Sequence, residues 1–451
     1  MDQKLQILLD TIKKLVRRGA YPNLIKVLSK SHPADIAHLF RYLELKEQRI
    51  LFNLIEDPAA AAYVLSELDH NGSAQLLTQI DKETISEILH EMPYDDAVEI
   101  IRLLPEEKAE EILEGMQAED SEEITQLLTY PHDTAGGIMS TEFFALREEQ
   151  TAREAIAALQ QAEDVEMVFY IYVTDDRRHL VGVLSLRQLL LVPPETPLKK
   201  IMTGEVISVR TDTDQEEVAQ QVARYNLLAV PVVDNGNRLV GLITVDDVID
   251  VLRQEATEDI YKMAGAHEEE LLYGDKPFKI ARLRLPWLVT NLFGGVVTGY
   301  LMWLFKATLK EVIALITFIP VITGMGGNVG GQSATIVVRG FATGRIDFSI
   351  LRKVFFREMR VGFIMGIVCG AVIGLVALAW HHNPYLGLVV GIAMVTAMTV
   401  ATSMGVAAPS FFKKIGIDPA IASSPFVQTA NDITGILIYF GTATFFLQHL
   451  H

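Results

Sequence analysis

The sequence predicts a multidomain protein in three parts: an all-α superhelical N-terminal domain, a tandem α/β pair, and a five-helix α transmembrane domain. Three observations carry this reading. A twelve-residue apolar repeat runs through residues 1–132, two related β-α segments lie between 136 and 255, and five long apolar runs fill the chain from 286 to 447. Charge divides in the same way. The first 275 residues hold 25 Lys+Arg against 52 Asp+Glu, and the remainder 14 against 5. So acidic a first part argues against nucleic acid, which needs the opposite sign, and suits cations. No apolar stretch follows Met1, so no signal peptide is expected and the N-terminal half should be cytosolic. Cys369 is the single cysteine, which excludes an intrachain disulfide.

In the first part, Val64, Leu76, Ile88, Ile100, Ile112 and Ile124 recur in phase. Counted from Ala61, Ser73, Ile85, Ala97, Ala109 and Ser121, apolar series stand at offsets of three, four and seven, which is one face of a two-turn helix. Asp69 and Asp81 fall where N-caps are wanted, and Pro93 and Pro105 suit a first turn. Helices this short do not stand alone. They must stack into a superhelix, as repeat proteins do. The period ends near Thr125, and residues 5–55 read as helical with a weaker match to it. Protein interaction is the default role of such an array. Its more specific feature is an acidic pair, Asp95 and Asp96, expected in a loop.

The pattern changes at Gly136-Gly137. Ile138-Met139-Ser140-Thr141 resembles Ile201-Met202-Thr203-Gly204, and Leu180–Ser185 resembles Leu239–Thr244. Each unit reads as a helix (151–162, 214–225), a strand (168–175, 228–234), a turn, a second strand and a helix. This resembles a tandem of CBS domains, which are regulatory and commonly hold adenine nucleotides between the units. The resemblance implies a phosphate-and-ribose signature of a Gly, an apolar pair, Ser or Thr, and Asp three residues later. The second unit has it in Gly241, Thr244 and Asp247; the first has Gly182, Ser185, Arg187 and then Gln188 in place of Asp. An amide accepts ribose hydroxyl protons less well than a carboxylate, so ATP binding stays open. Acidic residues cluster around the second unit, among them Asp214, Glu216, Asp246, Asp247, Asp250, Glu255, Glu258 and Asp259. Crowded carboxylates destabilise a compact state unless a cation neutralises them; a solvated acidic face is the alternative.

Residues 248–265 read as a helix, and a basic segment follows up to Arg284, as expected just inside a membrane. Charge-free runs occupy 286–305, 312–338, 361–380 and 383–412. The last run, 421–447, contains one charge, Asp432. A carboxylate at mid-span costs on the order of 3 kcal/mol to insert, so it should face protein or water. On a helix Asp432 shares a face with Gln428 and Pro425, and Pro425 would free the carbonyl of Ile421. Such an all-oxygen surface suits a hard cation. Gly324–Gln332 is glycine-rich and interrupts the second run; it brings Asn328 as an oxygen donor, and no Lys-Ser/Thr follows to make a P-loop. Thr396, Thr399, Thr402 and Ser403 form a polar stripe, expected to bond across helices. Loop 339–360 carries six Arg and Lys residues and loop 413–418 carries Lys413 and Lys414, so both should be cytosolic. The N-terminus is then inside and the C-terminus outside.

GGNVGGQSAT (326–335), DPAIASSPF (418–426) and NDITG (431–435) complete the pattern. Over essentially the whole chain it closely resembles the MgtE family of magnesium channels. The resemblance implies a plasma-membrane homodimer with a Mg²⁺ pore on its two-fold axis, Asp432 holding the hydrated ion and Gln428, Ser424 and Asn328 beside it. It implies that cytosolic Mg²⁺ closes the pore by binding the N-terminal and CBS domains and a connecting plug helix. The sensor candidates are Asp95, Asp96, Asp214, Glu216, Asp246, Asp247, Asp250, Glu255, Glu258, Asp259 and Asp418, with Asn226 standing where an Asp is expected. The expected domains are 1–132, 133–255 (CBS units 136–198 and 199–255), a plug helix and linker over 256–284, and a pore domain over 285–451. No enzymatic group is expected. The competing readings are a Na⁺- or H⁺-coupled divalent cation exchanger and a CBS-containing regulator with a membrane anchor; the charge at Asp432 argues against the anchor.

Overall fold

The structure is a computed structural model that describes residues 3–68, 70–77, 80–162, 169–267, 270, 276–421 and 425–449. It divides into two compact units, Met1–Leu252 and Arg253–His451.

The first unit opens with α1 (Gln3–Arg18), α2 (Tyr21–Leu28), α3 (Pro33–Phe40) and α4 (Leu45–Phe52). Six helices follow at a constant twelve-residue spacing: α5 (Pro58–Ser66), α6 (His70–Leu77), α7 (Lys82–His90), α8 (Tyr94–Arg102), α9 (Glu106–Gly115) and α10 (Ala118–Leu128). The repeat therefore sets the helix starts. Its in-phase residues Val64, Leu76, Ile88, Ile100, Ile112 and Ile124 are all buried. Packing runs between alternate helices, α3 on α5, α5 on α7 and α7 on α9, with α4 on α6, α6 on α8 and α8 on α10. Two interleaved rows thus share one apolar seam, which is how two-turn helices gain a core. Asp81 caps α7 by accepting from Thr84 N at 2.9 Å, and Pro93 and Pro105 stand just before α8 and α9. Asp69 lies outside the described residues. Asp95 and Asp96 are in the first turn of α8 rather than in a loop, where the helix dipole favours carboxylates.

Two three-stranded sheets follow. The first is β1 (Ala145–Arg147), β2 (Tyr170–Thr174) and β3 (Leu180–Ser185), with α11 (Ala152–Gln161) and the short α12 (Leu186–Leu190). The second is β4 (Val209–Arg210), β5 (Ala229–Val233) and β6 (Leu239–Thr244), with α13 (Gln215–Tyr225) and α14 (Val245–Ala264). In each, the first pair is parallel and the second antiparallel. The units exchange their leading segments: Ser140 bridges Leu242, and Thr203 bridges Val183. This explains the paired Met and Gly of the internal repeat. Met139 packs over Gly241 and Met202 over Gly182, where a Cβ would come within 2.8 Å of the methionine Cγ. Asn226 ends α13 in the left-handed region (φ 50°), a conformation asparagine tolerates better than most residues.

In the second unit α14 ends at Gly265 (φ 69°). Beyond it come α15 (Pro277–Leu304), α16 (Lys306–Glu311), a 3₁₀ segment at Ile313–Phe318, α17 (Ile319–Ala342), α18 (Leu351–His381), α19 (Pro384–Lys414) and α20 (Pro425–Phe445). Among the described residues four segments are long and apolar enough to cross a membrane: Pro277–Leu304, Ile313–Ala342, Leu351–His381 and Pro384–Lys414. The fifth expected span, α20, is not one of them, because Gln428, Asn431 and Asp432 lower its hydropathy. It is instead packed against α15, α17 and α19.

Several expectations are corrected. The glycine-rich stretch does not interrupt its span, since α17 is continuous across it. Pro425 is the first described residue of α20, and the expectation that it frees the Ile421 carbonyl falls on residues 422–424, which lie outside the described residues. Among the described residues the hydroxyls of Thr396, Thr399, Thr402 and Ser403 bond to carbonyls of their own helix and not across helices. Loop 339–360 shrinks to 343–350 because α18 begins at Leu351.

Candidate cation sites

In α20, Asn431 is buried and Asp432 is half-buried, while Gln428 and, on α17, Asn328 are exposed. The glycines of α17 decide how closely α20 approaches. Asn431 Nδ2 donates to Gly326 O at 3.3 Å, and a Cβ on Gly330 would collide with the Asn431 amide. One turn away, a Cβ on Gly327 would stand 3.6 Å from Gln428 Cγ. Asn431 anchors α20 on α17 and leaves Asp432 on the neighbouring face. Among the described residues, no hydrogen bond or ion pair reaches the Asp432 carboxylate. Asn431 Oδ1 is buried and has no hydrogen-bond partner among them either. Ser424 lies outside the described residues. Asn431 was not singled out from the sequence; its position beside an intramembrane Asp was the available signal.

A second group lies on the C-terminal half of α14 and the segment before α20. Lys262 Nζ stands 2.6 Å from Glu258 Oε1 and 2.7 Å from Asp418 Oδ2. Asp418 Oδ1 also accepts from Ala420 N at 2.8 Å. Burial alone would lower the Lys262 ammonium, but Asp418 and Glu258 outweigh it and hold it above the usual lysine range. Burial, then Asp418 and Glu255, push the Asp259 carboxyl up to about 6, against the opposing effect of Lys262 and Arg339. The structure thus brings Glu258, Asp259 and Asp418 together and places a lysine among them. The sequence reading missed Lys262; its i,i+4 spacing from Glu258 was the legible sign.

In the first unit, Asp246 and Asp250 are exposed at the start of α14, and Asp247 is half-buried between them. Asp247 Oδ2 accepts from Thr244 N at 3.0 Å and from Thr244 Oγ1. Burial, partly offset by Thr244, pushes its carboxyl up to about 6, with Asp246 and Asp250 adding to the rise. Gln188 occupies the same place in the first CBS-like unit: its Oε1 accepts from Ser185 N at 2.8 Å and Ser185 Oγ at 2.9 Å. Glutamine therefore replaces aspartate in the capping role and presents Nε2, a donor, where aspartate offers a second acceptor oxygen. Arg187 is exposed beside it. Asp214 caps α13 by accepting from Glu216 N at 2.8 Å, and Asp95 and Asp96 are half-buried on α8. Among the described residues no three His, Cys, Asp or Glu side chains converge tightly enough to hold a bare ion.

Apolar spans beside a polar, carboxylate-bearing helix, in one chain with an acidic helical array and a CBS pair, define a multi-pass membrane transporter of cations. The comparisons agree. The MgtE divalent cation transporter model matches residues 319–442, the MgtE intracellular N domain 31–133, and CBS domains 135–195 and 198–254. A magnesium transporter MgtE of Thermus thermophilus is 38% identical over 99% of this chain and 100% of its own length. One from Enterococcus faecalis is 42% identical over 72% of this chain and 71% of its own length. The crystal structure of the cytosolic domain of the Mg²⁺ channel MgtE in complex with ATP is 36% identical, with TM-score 0.52, covering 54% of this chain and 99% of that one. The chain belongs to the MgtE family.

Proposed function

We propose that this chain forms a Mg²⁺-selective channel of the plasma membrane, a homodimer whose pore is lined by α17 and α20 and which intracellular Mg²⁺ closes. The observation that carries this reading is Asp432, a half-buried carboxylate on α20 that no described protein group neutralises. Mg²⁺ holds oxygen at about 2.1 Å and sheds water reluctantly. A carboxylate with open space before it, beside Gln428 and Asn328, matches an ion that keeps its water shell. The exposure of Gln428 and Asn328 in a single chain supports a path completed by a second copy. The basic loops support an N-terminus inside and a C-terminus outside. Within this reading, residues 1–132 and 133–255 are sensors and 256–284 link them to the pore domain. The carboxylates of α8, α13 and α14 and Asp418 then bind regulatory Mg²⁺, which offsets their mutual repulsion.

Adenine nucleotide is assigned to the CBS pair. ATP is named with the similar cytosolic domain, and Thr244 and Asp247 retain the acceptor geometry, whereas Ser185, Arg187 and Gln188 offer mainly donors.

The test is divalent flux into liposomes carrying the full-length protein. Mg²⁺ entry without a Na⁺ or H⁺ gradient, suppressed by Mg²⁺ on the side bearing the N-terminus, is the expected result. Flux that requires either gradient would make the protein an exchanger.

A further inference from the structure

Glu358 has no part in the reading above. It lies in the second turn of α18 and is 5% exposed, although it is a carboxylate in a helix long and apolar enough to span a membrane. Such a group is costly to bury and needs partners. Its Oε1 accepts from Arg357 Nε at 3.2 Å and Arg357 Nη2 at 3.0 Å. Its Oε2 accepts from Ser333 Oγ on α17 at 2.9 Å. An ion pair with Arg357 alone would need no burial, because the Arg357 side chain is 54% exposed. The bond to Ser333 is what takes the carboxylate inside.

The surrounding helices make way for this bond. α19 packs along both α17 and α18, and the Ser333–Glu358 bond joins α17 and α18 directly. At that level Gly405 of α19 lets Ser333 approach: a Cβ there would lie 2.9 Å from Ser333 Cβ and would strike the Gly330 carbonyl. On α18, Gly362 stands one turn beyond Glu358, against Thr402 of α19. Ser333 follows Gly330 by three residues and so lies one turn further along α17 from the point where Asn431 packs. One polar side chain from α18 and one from α20 therefore hold α17 from two sides.

We infer that Glu358 is a positioning residue that, through Ser333, fixes α17 and with it the placement of Asn328 on the permeation path. The inference rests on the assignment of α17 to the pore, and its test separates the two. Asn328→Cys in a Cys369→Ser background gives α17 a thiol whose labelling rate by a charged methanethiosulfonate reagent reports its setting. In full-length protein in liposomes, Ser333→Ala and Glu358→Ala are expected to change that rate at least threefold. The double variant should do no more than the stronger single one, since both remove one bond. Glu358→Gln, which keeps an acceptor for Ser333, should restore the wild-type rate. Unit conductance should fall severalfold in the variants that move the label. Ser333→Ala deletes one oxygen and keeps the test available should Glu358→Ala fail to fold. Unchanged labelling in both alanine variants would overturn the inference, as would a Glu358→Gln that behaves like Glu358→Ala. A changed rate with unaltered conductance would uphold the clamp and remove α17 from the pore.

Discussion

Asp432 and Asp247 are both carboxylates that folding withdraws in part from water, and they lead to different tests. Asp432→Asn keeps shape and removes charge. Mg²⁺ flux should be almost abolished in protein that still folds, as read by an entrapped Mg²⁺ indicator in liposomes; wild-type flux would leave Asp432 a structural role. Asp247 has its carboxyl raised to about 6 by burial. Its folded pKa exceeds the unfolded value of about 3.9, so the folded state binds the extra proton between these values. Its contribution to stability is fully present below about pH 4 and is lost as pH rises through 6. Asp247→Asn should therefore raise the unfolding temperature at pH 7 in Mg²⁺-free buffer, by on the order of 2 °C. The gain should vanish near pH 4. A gain of equal size at both pH values would mean that burial of the charge is not its source.

Among the elements, α14 carries the residues on which the proposed gating rests. One face of its C-terminal half carries Glu255, Glu258, Asp259 and Lys262, and Lys262 joins Glu258 to Asp418. A lysine provides one charge where Mg²⁺ provides two, so it compensates these carboxylates only in part. Lys262→Met should leave Glu258 and Asp418 repelling each other and raise the open probability in Mg²⁺-free patches. Neutralising Glu258, Asp259 and Asp418 together should keep conduction through Asp432 and move closure to higher Mg²⁺. Binding shifts this equilibrium only through its differential affinity for the two states. An unchanged inhibition curve in the triple variant, at normal conductance, would place the sensor elsewhere.

At the scale of the whole molecule, the nucleotide site proposed for the CBS pair is a second input whose strength depends on Gln188. In the wild-type chain its amide oxygen is engaged by Ser185, and the remaining amide group donates. Gln188→Asp keeps the cap and supplies a free acceptor oxygen. Calorimetry should show ATP binding several-fold more tightly, since charge-assisted bonds exceed neutral ones by roughly 1 kcal/mol. No ATP binding in either protein would remove nucleotide from the mechanism. Tighter ATP binding in Gln188→Asp would place a nucleotide input and the proposed Mg²⁺ input in the same acidic first unit.

The sequence by itself determined the three-part order, the twelve-residue helix starts of α5–α10, the β-α repeat, and Asp432 as the singular charge of its run. These are local or periodic signals, set by side-chain spacing and by the cost of placing a charge in an apolar span. Only the tertiary structure decided what those signals do across space. Asn431 on Gly326, Lys262 between Glu258 and Asp418, and Glu358 on Ser333 each join residues far apart in the chain. Glu358 falls within the expected loop 339–360, whereas the structure places it inside α18, which begins at Leu351. The threonine stripe of α19 read as helix–helix glue, but a hydroxyl in a helix has a carbonyl of its own preceding turn within reach and bonds there first. Pairings of this kind depend on which helices meet and at what depth, and periodicity along one helix carries no information about that.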